Sequence, residues 1–240
     1  MARSVFWLII SLLAWEAYQV IRAKAELPPG SWALPPVDLV FLVLLPAFAA
    51  FAFTRLFLVV SQSARGTLNV YATISSPFAW IFWIGLSMGM IGHGVHLAGD
   101  ALQRALPEVF AQGEFAAKTA FLASDVGYLV LGIGFFLVSL VILLVGQGAG
   151  QEISGPERLL FVLGSLATYG FVILYLGVEG RQIILAIAVS VILSAVSLWS
   201  LPPSEVTRDP IGALILPGTF LAGAALIVWT VVVGGQPTWP

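Results

Sequence analysis

The sequence predicts an all-α fold, a polytopic integral membrane protein built as a bundle of seven transmembrane helices with short loops. Of its 240 residues, 60% are hydrophobic and only 9% are charged, and the mean hydropathy is +1.02. A soluble domain has roughly 45–50% apolar and about 25% charged residues. So few charged side chains cannot cover so much apolar surface, and we therefore expect lipid to be the main solvent of this chain.

Seven segments are long and apolar enough to be predicted as membrane spans. A bilayer core about 30 Å thick requires roughly 20 predominantly apolar residues per helix. The segments run over residues 5–21, 37–60, 77–102, 115–145, 158–176, 182–199 and 211–233. The connections between them are short, so residues 1–240 are predicted to form a single transmembrane domain.

Composition also limits the location and the partners. The chain is predicted to be integral to a cell membrane and surrounded by membrane lipids, and ten Lys and Arg residues with a net charge of −2 do not supply the basic patch that a nucleic acid requires. Seven spans place the two termini on opposite sides. The basic residues divide evenly between the two faces, so the positive-inside rule leaves the orientation undetermined. The absence of cysteine excludes disulfides and thiolate metal sites.

The third predicted span carries the most specific local pattern, Gly92-His93-Gly94-Val95-His96-Leu97-Ala98-Gly99-Asp100. On a helix, His93, His96 and Asp100 fall within a sector about 60° wide. These are the two histidines of the chain. Imidazole and carboxylate are common ligands of transition metals, and the i, i+3 spacing allows two imidazoles to approach one metal ion.

Two further carboxylates are predicted at a similar depth in the membrane. At about 1.5 Å per residue, His93 and Asp125 lie roughly 14 Å inside the boundary and His96 and Glu16 about 9 Å inside it. Ionisable side chains in a membrane helix are costly, about 2.5–3.5 kcal/mol at the helix centre. The presence of these ionisable side chains at a similar depth in one leaflet therefore indicates a common site.

The leading hypothesis from these residues is an intramembrane metal site that acts on a lipid or another apolar substrate. The predicted ligands of a divalent Zn, Fe or Cu ion are His93, His96, Asp100 and Asp125, and the predicted catalytic residues are Glu16 and Asp125. A zinc-bound water would favour hydrolysis, whereas an iron or copper pair would favour oxidation. The chain is thus a candidate metal-dependent hydrolase or oxidoreductase.

Other functions fit the same residues. The ionisable groups can form a transporter's proton or ion pathway, or a structural polar network between helices. The chain can also be a non-catalytic subunit of a larger membrane complex or a homo-oligomer, because its apolar surface suits helix partners as well as lipid. A retinal protein is excluded because the seventh span has no lysine. A bis-histidine haem between His93 and His96 is excluded because both lie on one side of one helix.

The proposed site depends on how the third and fourth spans pair. The short connection predicts antiparallel neighbours, and Gly89, Gly92 and Gly99 permit a close approach. This pairing places Asp125 level with His93 to within about one turn. A shared site then requires the carboxylate and the imidazole to lie within roughly 5 Å of each other, since a metal ligand or a partner that orients the ring must be in reach.

Overall fold

A computed structural model describes residues 1–24, 43–66, 73–105, 113–148 and 152–234, and these residues form eight helices and no strand. In chain order the helices are α1 (Ala2–Lys24), α2 (Leu45–Arg65), α3 (Pro77–Ala105), α4 (Glu114–Gly146), α5 (Gly155–Val178), α6 (Ile183–Ser200), the short α7 (Pro203–Val206) and α8 (Pro210–Val232). The predicted all-α class is thereby confirmed for the described part of the chain.

Five of the eight helices, α2 to α5 and α8, are long and apolar enough to cross a membrane. Helix α6 is apolar but shorter. Helix α1 is long, but it carries four charged residues, which lower its hydropathy. Residues 25–42, which include the start of the predicted second span, lie outside the described residues. The lengths and composition of these helices thus indicate a membrane-embedded protein, whereas the seven-span count is not confirmed.

Side-chain caps fix where several helices begin. Ser76 precedes Pro77 and accepts a hydrogen bond from the backbone N–H of Ala79 at 3.2 Å. Ser154 and Glu157 form a capping box at the start of α5. Asp209 precedes α8 and accepts two N–H groups of its first turn at 2.8 and 2.9 Å. Each cap satisfies amide groups that have no partner within their own helix.

Helices α3 and α4 form the closest pair, and glycine makes the contact possible. A Cβ at Gly92 would overlap the backbone nitrogen of Leu131, and one at Gly99 would overlap Ala123. Residues later in α3 therefore face residues earlier in α4, which confirms the predicted antiparallel pairing. Gly89 behaves differently, because a Cβ there would meet no atom within 4 Å.

Helices α5, α6 and α8 meet near their midpoints through hydroxyl groups. Pro217 lies within α8, and Gly218 next to it donates its backbone N–H to Ser165 Oγ at 2.8 Å. Just after Ser165, α5 contains one π-helical turn, Leu166–Gly170. Ser190 of α6 donates to the backbone carbonyl of Thr219. Hydroxyls of α5 and α6 in this way bond to backbone groups of α8 next to Pro217, where a membrane interior offers no water to do so.

Candidate functional site

His96, Asp100 and Tyr128 lie toward the end of the bundle where α3 finishes at Ala105 and α4 starts at Glu114; we call this the Ala105 end. His93 and His96 are both buried, with 6% and 8% of their surfaces exposed. Both histidines lie on the part of α3 that packs closely on α4, because Gly92 and Gly99 on either side of them let the two helices approach. The side chains of both histidines therefore lie close to the tightly packed contact between α3 and α4.

His96 belongs to a chain of polar side chains that crosses three helices. Its Nε2 atom lies 3.1 Å from Tyr128 Oη on α4, and Tyr128 donates to Tyr175 Oη on α5 at 2.8 Å. The Oδ2 atom of Asp100 lies 3.6 Å from the same Nε2 atom. Because the Tyr128 proton points to Tyr175, the Tyr128 oxygen is free to accept from the imidazole Nε2–H.

The turn after α5 holds Tyr128 in this chain. A Cβ at Gly180 would lie 2.9 Å from the Cγ atom of Tyr128, so glycine lets this turn pack directly on the tyrosine ring. The next residue, Arg181, has a φ of 52°, which is uncommon for a residue with a side chain. Tyr128 is thus enclosed by His96, Tyr175 and the α5–α6 turn.

His93 faces a different group of helices. Its ring meets the ring of Trp15 on α1 edge-to-face, with 4.7 Å between the centroids. The two histidines share a sector of α3, yet one is directed to α1 and the other to α4 and α5. Each imidazole therefore contacts an aromatic side chain of a different helix.

An apolar cavity of about 60 Å³ lies beside His93 and Trp15. Four helices contribute its walls: α1, α2 with Ala49 and Phe53, α3, and α4 with Leu131 and Phe135. His93 is the one ionisable side chain among the lining residues. The cavity is open on one side, and its level along α3 and α4 places it within the two spans.

Asp125 does not lie on the side of α4 that faces α3. Ala123 and Gly127 make the contacts with α3, and Asp125, two residues from each, lies roughly half a turn around the helix from them. It sits in a π-helical turn, Phe121–Val126, and its backbone carbonyl accepts from Gln182 Nε2 at 3.3 Å. The predicted sharing of a site by Asp125 and His93 therefore finds no support in the helix geometry.

Glu16 lies on α1, next to Trp15 in the sequence. Its Oε1 atom is buried and has no hydrogen-bond partner among the described residues. It is not among the residues that line the cavity. Nothing in the described part of the chain places Glu16 with the histidines as a ligand or as a base for a common reaction.

The described residues contain no group of three or more His, Asp or Glu side chains that could hold a metal ion. The physical reason is the divergence of the predicted ligands. His96 and Asp100 lie together, His93 turns to α1, and Asp125 turns away from α3. The predicted metal site of His93, His96, Asp100 and Asp125 is thus not supported.

Sequence reasoning assigned no role to Tyr128 or Tyr175, which complete the polar chain. Tyr128 lies within an otherwise apolar span, and Tyr175 lies near the end of α5, six residues before Arg181. A tyrosine hydroxyl inside a membrane span requires a hydrogen-bond partner, and this requirement is the feature of the sequence that points to the two tyrosines.

The chain's comparison with models of protein families, with curated proteins and with solved structures finds no match.

Proposed function

We propose that the chain is a seven-span integral membrane protein that binds the hydrocarbon chain of a membrane lipid in the cavity beside His93. The observation that carries the proposal is the cavity itself, which is apolar, open on one side and lies between membrane-spanning helices. Counting α1 and α6 as spans gives seven, because α1 has 23 residues and α6 has 18.

The chemistry of the walls supports a hydrocarbon occupant. Alkyl and aromatic side chains from α2 and α4 line the cavity together with glycines of α3. Inside a bilayer the acyl chains of lipids are the molecules that reach such an opening. An apolar pocket with one nearby polar group is the usual form of a site for a small apolar ligand. His93 is the group that stands in reach of a polar atom on such a ligand.

This proposal retains the apolar substrate predicted from the sequence and does without the metal ion. His93 can donate or accept one hydrogen bond, depending on its tautomer. A single imidazole suits recognition or proton exchange with a bound carbonyl or hydroxyl group. Binding is therefore the first step to test.

Two glycines of α3 provide a matched experiment. Gly89 lines the cavity, and a Cβ there meets no atom within 4 Å. Gly94 lies on the same helix, also has no atom within 4 Å of an added Cβ, and does not line the cavity. Gly89→Leu should therefore fill the cavity without displacing a helix, and Gly94→Leu should leave the cavity open.

The measurement is photo-crosslinking in proteoliposomes with a phospholipid that carries a diazirine on its acyl chain. Mass spectrometry of the wild-type protein should find the label on peptides of α2 and α3 that line the cavity. We expect Gly89→Leu to lose most of this label and Gly94→Leu to keep it. Equal labelling of these peptides in all three proteins would contradict the proposal.

A further inference from the structure

Glu16 occupies the interior face of α1. Val5, Leu8 and Leu12 have 0%, 0% and 1% of their surfaces exposed. Glu16 follows Leu12 by four residues and Val5 by eleven, so all four side chains leave the helix on the same side. The carboxyl group therefore projects with the residues that α1 packs against the rest of the bundle.

The side chain of Glu16 is half-buried, and the described residues supply no hydrogen-bond partner for one of its two carboxyl oxygens. Its Oε1 atom is buried without a partner. Among the helices packed against α1, α2 carries Arg55, whose side chain is exposed. Helix α5 carries Glu157 and Arg158, which are exposed in the first turn of α5. Helix α8 has no charged residue, and from α3 the titratable neighbour is His93, whose ring contacts Trp15.

An ionised carboxylate in such surroundings is strongly disfavoured. Moving an unpaired charge out of water costs far more than moving a neutral polar group, and a buried ion without a partner has no Coulombic term to offset that cost. The neutral acid retains a carbonyl and one O–H group, each of which is far less costly to bury. The environment of Glu16 thus favours the form that carries a proton.

We propose that Glu16 is a proton-binding site in the interior of the bundle. The bound species is the neutral carboxylic acid, and release transfers one proton from its O–H group to water and leaves the carboxylate. Release therefore requires water to reach α1, so the occupancy of the site depends on how α1 packs against α2, α5 and α8. The site is separate from the cavity and does not depend on the lipid-binding proposal, since Glu16 does not line the cavity.

Infrared spectroscopy of the protein in lipid bilayers tests this directly, because a neutral carboxyl has a C=O stretch that a carboxylate lacks. Labelling all glutamates with ¹³C separates their bands from those of aspartates. At neutral pH we expect one carboxylic-acid band in the wild type, its loss in Glu16→Gln, and its retention in Glu157→Gln. Glu157 is the control because it is exposed.

Two outcomes would overturn the proposal. One is a wild-type spectrum without a ¹³C-sensitive carboxylic-acid band at neutral pH, which needs no variant and stands even if Glu16→Gln does not fold. The other is loss of the band when potassium is replaced by sodium at constant pH, which would show that the carboxylate takes a metal cation. A band that survives both salts and disappears in Glu16→Gln supports a site for the proton.

Discussion

Buried polar groups at the Ala105 end of α3 and α4 are ionisable or aromatic, whereas those at the middle of α5, α6 and α8 are hydroxyls. The Nε2 atom of His96 lies close to the side chains of Tyr128 and Asp100. Ser165 and Ser190 instead bond to the backbone of α8. The hydroxyls thus contribute to the backbone hydrogen bonding of a helix that contains Pro217, while the imidazoles contact aromatic and carboxylate side chains.

This difference separates hydroxyls that bond to the backbone of α8 from imidazoles that contact the side chains of other helices. A buried amide without a partner costs free energy comparable to a lost hydrogen bond, so removing a hydroxyl that serves the backbone should weaken the fold. A histidine in a membrane span is costly in itself, so its presence needs another reason. Function is the reason that we assign to His93 at the cavity.

The largest effect is expected at the glycine contact between α3 and α4. Gly92→Val places a branched side chain where a single Cβ would already overlap the backbone of Leu131. The helices must separate, and we expect a loss of about 3 kcal/mol or more in the free energy of unfolding, at the upper end for overpacking. Gly94→Val is the control, because its Cβ meets no atom within 4 Å. Unfolding in mixed micelles measures both.

Equal stability of the Gly92 and Gly94 variants would show that the α3–α4 contact is looser than the structure describes. The histidines would then lie beside a mobile interface, and their burial would not distinguish the Ala105 end from the rest of the bundle. A large loss confined to Gly92→Val would instead confirm that the site is positioned by close backbone packing.

A smaller effect is expected from Ser165→Ala. This change leaves the N–H of Gly218 without its acceptor next to Pro217, and an unsatisfied buried donor costs about 1–3 kcal/mol. The exposed Ser87 on α3 supplies the control, and Ser87→Ala should change stability by less than about 0.5 kcal/mol. If both variants unfold at the same denaturant concentration, the hydroxyls of α5, α6 and α8 do not stabilise the fold by bonding to the backbone.

The helices could be predicted from the sequence because runs of about 20 apolar residues and short polar connections are local signals. The close pairing of α3 and α4 could also be predicted, because Gly92 and Gly99 recur on one face of α3. Helix α6 (Ile183–Ser200) follows the predicted span 182–199 closely, whereas α2 (Leu45–Arg65) ends five residues beyond the predicted span 37–60. These features depend on periodicity within a segment or on the length of one loop.

The site could not be predicted in the same way. Helix geometry correctly places His93 and His96 on one sector of α3. It does not determine which neighbouring helix each ring contacts. Asp125 was expected to face His93, yet Ala123 and Gly127 occupy that side of α4. The partner of an interior side chain depends on the rotation of a second helix, and rotation is set by packing that a single sequence does not show.

The smallest difference is expected in metal content. Mass spectrometry of purified wild type and His93→Ala/His96→Ala should find the same amount of zinc, iron and copper. The reason is that Nε2 of His96 already faces Tyr128 and Asp100, while His93 contacts Trp15. Protein-bound transition metals in stable sites usually have three or more side-chain ligands, and the described residues offer no such group. Stoichiometric metal in the wild type that the double variant loses would restore the metal site predicted from the sequence, and it would require the two imidazoles to turn toward each other on binding.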